Sequence, residues 1–148
     1  MGDAVDLSAF VPNDSAVLEI LGNGVPTGWK IELAGPSHPK TVEVANEAMR
    51  ERLQKEKAVE FAQVNGRKYK VDDESPDERA HRNVSRLVKR ILGWSPNPVF
   101  KNIGDEPIVF SEEAATKLLL RPDMSWVLAQ IADYVMSETA FTQRSVPT

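Results

Sequence analysis

The two histidines are the first residues to test for chemistry, because imidazole acts as base, nucleophile or metal ligand near neutral pH. His38 lies between Ser37 and Pro39, a context more typical of a turn residue that caps or is solvated than of a metal ligand. His81 lies beside the apolar face of a predicted helix. The chain has no cysteine, and no second histidine follows either one by four residues. We therefore predict no zinc site.

An acidic run before the second predicted helix is the main candidate for binding a divalent cation. It lacks the Asp-x-Asp-x-Asp-Gly order and the distal glutamate of a calcium loop. Acids are stabilised at the positive end of a helix dipole, so we interpret the run as a helix start. Its members are Asp72, Asp73, Glu74, Asp77 and Glu78.

The sequence also lacks the motifs of phosphate-binding loops and nucleophile elbows. Gly22-Asn23-Gly24 falls between two predicted strands rather than before a helix. We therefore predict that the protein is not an enzyme and binds neither a metal nor a cofactor.

A basic set in the second helix is the best candidate for contacting nucleic acid. It consists of Arg79, Arg82, Arg86, Lys89 and Arg90. The net charge of −4 argues against a general nucleic-acid binder, because phosphate contacts need concentrated positive charge. We expect the acids just upstream to balance this set, and we rank a small nucleic-acid-binding regulator below the other functions considered.

The composition predicts one α+β domain, with 148 residues of which 41% are hydrophobic and 27% charged. We expect a flexible arm over residues 1–14, the domain over 15–141 and a flexible tail over 142–148. No apolar run approaches the length needed to cross a bilayer, and the acidic N-terminus argues against a signal peptide. We expect the protein in the cytoplasm.

An N-terminal β-hairpin and about four helices should build this domain. Two apolar runs, Ala16–Leu21 and Trp29–Leu33, flank glycines that predict a hairpin with a loop longer than two residues. Asn65-Gly66 predicts a turn leading into a smaller hairpin or an extended connector. The first helix should begin near Pro39 and face inward through Val42, Ala45, Met49 and Leu53.

The other helices show similar apolar stripes. The second should be ended by Gly93, the third capped by Ser111, and the fourth, after Pro122, capped by Asp123. The second stripe consists of Ala80, Val84, Leu87, Val88 and Ile91, and the fourth of Val127, Ile131, Tyr134 and Val135.

The segment GWSPNPVFKNIGDEPIVF, residues 93–110, predicts a small second hairpin near residues 99–110. Trp29 and Trp126 fit apolar faces of the core, whereas Trp94 either fills a gap over the core or anchors a partner. Our candidates for partner binding are Trp29, Trp94, Phe100 and Ile103. We expect Trp94→Ala to weaken partner binding and to leave the fold largely intact.

Two segments carry a resemblance to a known family. They are PTGWKIELAGPSHPKT and GWSPNPVFKNIGDEPIVFSEEAATKLLLRPDMSWVLAQIADYVMSETAF. In the second, a Trp precedes a short strand, a Gly-x-x-Pro turn returns to hydrophobic-x-Phe-Ser, and a Leu-rich helix leads to a helix containing Trp. Together they cover about half of the chain, and they resemble the tail assembly chaperones of long-tailed bacteriophages.

That resemblance implies a non-enzymatic protein of the host cytoplasm that binds the long, helical tape-measure protein and helps to recruit tail-tube subunits. An open strand edge or an apolar helix groove could make such contacts, and self-association stays open. A head–tail connector or minor tail component that remains in the virion would present the same features, and the nucleic-acid-binding regulator is the third alternative.

Overall fold

The computed structural model describes residues 4–11, 13–67 and 74–137, which form three strands and four α-helices. The prediction of an α+β domain with an N-terminal hairpin is confirmed. The predicted tail at 142–148 lies outside the described residues, as do Asp72 and Asp73. The strands are β1 (Ser15–Gly22), β2 (Val25–Ala34) and β3 (Ile91–Ser95), and the helices are α1 (Pro39–Val64), α2 (Pro76–Val88), α3 (Glu112–Leu119) and α4 (Ser125–Met136).

The hairpin of β1 and β2 closes with a two-residue turn, so the predicted longer loop is wrong. Asn23 and Gly24 both have positive φ, 52° and 79°, which suits the twist of an antiparallel pair. The additional glycine, Gly28, lies inside β2 at φ 85°, where the strand register is irregular. The Thr27 hydroxyl donates to the Ile20 carbonyl at 2.7 Å and satisfies the backbone there.

The core lies against one face of the sheet. Trp29, Ile31 and Leu33 of β2 point into it while Lys30 and Glu32 stay exposed, as their alternation predicted. Helices α2, α3 and α4 cover this face with apolar side chains. Their buried members are Val84, Val88, Ala115, Leu118, Leu119, Val127 and Ile131, joined by Met124 from the preceding turn.

The third strand was not predicted, because Ile91 fits the apolar stripe of the helix before it and Gly93 resembles a helix stop. Helix α2 instead ends at Val88, and residues 91–95 pair antiparallel with β2. Trp94 lies opposite Ile31, and Ile91 is fully buried. The apolar pattern of residues 91–95 suits a helix as well as a strand. Their pairing with the edge of β2 decides that they form a strand.

Residues 96–111 form an irregular loop, so the small hairpin expected near 99–110 is wrong. The loop contains three prolines, which have no backbone N–H and cannot donate the hydrogen bonds that join two strands. They are Pro96, Pro98 and Pro107. Ile108 N–H donates to the Pro98 carbonyl at 2.9 Å and joins the two ends of the loop. Gly104 reverses the chain at φ 81°.

Two of the three predicted helix caps are present. His38 Nδ1 accepts from the Lys40 N–H at 3.1 Å, and Ser111 Oγ accepts from the Ala114 N–H at 3.0 Å. Asp123 does not cap α4. Its carboxylate accepts from Arg121 and Asn102 instead, within the 3-10 turn Pro122–Met124 that precedes the helix.

Two further predictions about position are wrong. Trp126 is 40% exposed rather than part of the core, and its Nε1 donates to the Asp123 carbonyl. Helix α1 continues through Phe61 and Val64, so no strand precedes the turn at Asn65-Gly66. The residues expected to form the return strand, around Tyr69 and Val71, lie outside the described residues.

Candidate protein-interaction surface

Helix α1 is the longest element of the described chain and buries none of its 26 residues. Its sequence is rich in Ala, Glu, Lys and Arg, which have high helix propensity, and it begins with Pro39 after the His38 cap. The predicted inward face is wrong. Val42, Met49 and Leu53 are 45%, 51% and 46% exposed.

The other side of α1 is held to the body by ion pairs. Glu47 contacts Lys89 at 2.9 Å, and Glu51 pairs with Arg86 of α2. Lys40 contacts Glu112, the first residue of α3, at 3.6 Å. Ion pairs at exposed positions contribute little stability, so α1 is attached far more loosely than the core helices.

The exposed apolar residues of α1 face away from the body. Glu51 follows Val42 by nine residues, and at about 100° per residue this places the two on opposite sides of the helix. We call the solvent-facing set the outer stripe, and it consists of Val42, Ala45, Asn46, Met49 and Leu53. Exposed apolar side chains grouped on one face of a helix are typical of a site that binds another protein.

The Glu47–Lys89 pair also shifts the titration of both groups. The hydrogen bond from Lys89 lowers the pKa of the Glu47 carboxyl below its ordinary value. The same hydrogen bond raises the pKa of the Lys89 ammonium. The pair is thus fully charged over the whole neutral range.

Three of the four predicted partner-binding residues form an aromatic cluster at the core, and Ile103 lies beside Phe100 in the loop that follows β3. Trp29 and Trp94 are 7% and 9% exposed, with ring centroids 5.4 Å apart and edge to face. Phe100 lies 6.2 Å from Trp29, and both Phe100 and Ile103 are half-buried against the core. The Trp94 Nε1 donates to the Ile108 carbonyl at 3.0 Å.

This cluster fastens the loop of residues 96–111 to the sheet. Phe110, at the far end of the loop, adds a contact of 5.0 Å to Trp94. Because Trp94 is buried and hydrogen-bonded, we now expect Trp94→Ala to destabilise the fold rather than to spare it.

The basic set, which lies in α2 and in the two residues that follow it, is largely engaged within the protein. Arg82 contacts Glu74 at 2.9 Å, and Arg86 and Lys89 contact the acids of α1. Arg90 donates to the Ala34 carbonyl at 2.8 Å. Among the described residues, the upstream acid Glu74 balances Arg82 as expected, and acids of α1 balance Arg86 and Lys89. Phosphate binding would have to compete with these ion pairs, which disfavours a nucleic-acid surface here.

The two outer edges of the sheet differ in how they are covered. At β1, the Gln130 side chain of α4 donates to the Leu21 carbonyl at 2.9 Å and accepts from the Leu21 N–H at 2.8 Å. This amide occupies the place of a neighbouring strand. No described residue outside β2 forms a backbone hydrogen bond with β3, so within the described chain β3 is the edge on which a strand could add.

Within the described ranges, His, Cys, Asp and Glu side chains form no group of three or more that could hold a metal ion. A search of the same residues found no helix that is long and apolar enough to cross a membrane.

The sequence does contain a signal for the outer stripe, although it is easily misread. Half-buried Val44 and Ala48 lie on the side of α1 that faces the body, whereas Val42, Met49 and Leu53 lie on the other side. Apolar residues on two opposite faces indicate a helix with neighbours on both sides. Among the described residues, the side of α1 that carries Glu47 and Glu51 contacts the body, whereas the outer stripe stays exposed.

Comparison with known proteins adds no further identification. No protein-family model matches the chain, and no significant match was found among curated proteins or among solved structures.

Proposed function

We propose that this protein is a non-enzymatic assembly chaperone of a long-tailed bacteriophage, acting in the host cytoplasm. It binds the helical tape-measure protein along the outer stripe of α1 and helps to recruit tail-tube subunits. The proposal combines the resemblance of the hairpin and the C-terminal half with the exposed surface of α1.

The observation that carries this proposal is the long helix that buries none of its residues. A solvent-exposed stripe with three- and four-residue spacing is complementary to an amphipathic helix. A tape-measure protein offers many such helical segments. The exposed edge of β3 is a second surface, on which an extended segment of a tail-tube subunit could add as a strand.

The attachment of such partners must be reversible, because a chaperone leaves as the tube polymerises. The outer stripe is short and neutral in its centre, which favours modest affinity over permanent association. A structural connector or minor tail component would instead remain bound in the finished particle, so the composition of purified virions separates the two functions.

The test is co-expression with a phage tape-measure protein. We expect the two to purify together and the tape-measure protein to stay soluble. The double variant Met49→Glu and Leu53→Glu should abolish co-purification, because it buries two carboxylates in the contact. Val109→Glu is the matched control, since Val109 is also exposed, at 69%, but lies in the loop of residues 96–111.

Two results would overturn the proposal. One is co-purification that survives the Met49 and Leu53 substitutions, which would place the contact elsewhere. The other is recovery of the protein in finished virions at a fixed stoichiometry, which would favour the structural component.

A further inference from the structure

The outer stripe belongs to a longer heptad pattern on the exposed side of α1. Steps of four and three residues connect positions 42, 46, 49, 53, 56 and 60, which is the spacing of a coiled-coil seam. All six positions are exposed. The first four hold Val, Asn, Met and Leu, whereas the last two hold glutamates. A helix paired with α1 would therefore be in apolar contact from Val42 to Leu53 and no further.

We propose that this seam pairs with the same seam of a second copy of the chain, in antiparallel orientation. The overlap of residues 42–53 places Val42 of one copy against Leu53 of the other, and Asn46 against Met49. Antiparallel pairing thus fills the seam from end to end with neutral side chains.

Charge complementarity at the border of the seam supports this choice of partner. Glu43 and Arg50 are seven residues, about two turns, apart and so lie on the same flank of α1. An antiparallel pair with two-fold symmetry brings equal flanks together. Glu43 of each copy then lies beside Arg50 of the other, and two symmetric ion pairs form.

The glutamates that end the seam argue against a parallel pair. In parallel register, Glu56 and Glu60 would each face their own counterpart, which is unfavourable for like charges. In the antiparallel overlap Glu56 lies opposite Pro39 of the second copy, the first residue of α1. The positive end of a helix dipole favours an acidic side chain there.

The contact is small, so the dimer should be weak and dependent on concentration. Its overlap is about 18 Å long, and the area it buries falls below the roughly 1,200 Å² of stable interfaces. A longer helical partner could then displace the second copy. Self-pairing is tested with the purified chain alone, whereas the proposed function is tested with a tape-measure protein. A negative result in either test therefore leaves the other proposal unaffected.

The experiment is sedimentation velocity of the full chain from micromolar to millimolar concentration. We expect a monomer–dimer equilibrium that Glu43→Arg and Arg50→Glu each weaken about tenfold or more, because each change turns two attractions into two repulsions. Mixing the two variants in equal amounts should restore dimerisation, since the mixed pair has opposite charges at both contacts.

Lys57→Glu is the matched control. It makes the same charge change as Arg50→Glu, seven residues further along the same flank, but beyond the overlap. It should leave the dimer unchanged, and circular dichroism should show that every variant is folded. The proposal is overturned by a chain that stays monomeric at millimolar concentration, by a mixture as weak as its components, or by a control that dissociates like Arg50→Glu.

Discussion

Helices α1 and α4 both carry apolar residues at three- and four-residue spacing, but only α4 buries them. Val127 and Ile131 of α4 are fully buried beneath the sheet, whereas α1 buries no residue. Helix α4 is held by packing and by the side-chain contacts of Gln130 with β1, and α1 is held mainly by ion pairs. The difference shows that apolar residues at helical spacing do not by themselves indicate whether the fold buries them.

The largest expected contrast comes from truncating one residue in each helix. Ile131→Ala should lower the free energy of unfolding by about 2–5 kcal/mol, because it opens a cavity in the core. Leu53→Ala, on the exposed side of α1, should change it by no more than about 0.5 kcal/mol. Urea denaturation at low micromolar concentration measures both. A comparable loss for Leu53→Ala would mean that the outer stripe packs against the body.

The aromatic cluster allows a finer comparison within the core. Trp94 Nε1 donates to the Ile108 carbonyl, whereas Trp29 Nε1 is buried without a hydrogen-bond partner among the described residues. Trp94→Phe should therefore cost about 1 kcal/mol more than Trp29→Phe, since only the first leaves an acceptor unsatisfied. Thermal or urea unfolding of the two variants provides the test, and equal losses would contradict the role given to this hydrogen bond.

These comparisons also show how far the sequence alone could lead. Alternation at Trp29, Ile31 and Leu33 was enough to orient β2 correctly. Position 91 was ambiguous, because Ile91 fits both a helix stripe and a strand. The sequence of residues 91–95 does not indicate that the edge of β2 is available for pairing. That pairing is what makes these residues a strand.

The candidate site was predicted less well than the fold. Three of the four chosen residues do meet, but aromatic residues near prolines suit a loop anchor in the core as well as an exposed contact. The outer stripe was seen in the sequence and assigned to the wrong side. The spacing of apolar residues shows which of them share one face of the helix. It does not show whether that face, and Met49 with it, packs against the rest of the protein.

A smaller effect should follow from cutting one ion pair of α1. Lys89→Gln removes the contact with Glu47, so α1 should detach from α2 more often while the core stays intact. Trypsin should then cleave within α1 a few times faster than in the parent chain. Arg79→Gln, which removes a positive charge from α2 without removing a contact to α1, should leave the cleavage rate unchanged. Equal acceleration by both changes would show that charge in general, rather than this pair, holds α1.

The smallest effect is a dependence on pH. The pKa of Glu47 is lowered by its partner, so the pair's contribution is complete above the ordinary range of a glutamate and is lost as the pH falls through the folded value. The pKa of Lys89 is raised, so the contribution is also lost as the pH rises through that folded value. Amide chemical shifts around Glu47, more than two turns from the His38 cap, should be constant between these limits. A transition near neutral pH would contradict the assignment.

The central claim is that the outer stripe of α1 binds another protein, and hydrogen exchange tests it most directly. The full chain is compared with and without the tape-measure protein, and exchange is followed by mass spectrometry. We predict slower exchange across residues 42–53, with little change in α3 and α4. Protection confined to the loop of residues 96–111 or to β3, or no protection at all, would contradict the claim.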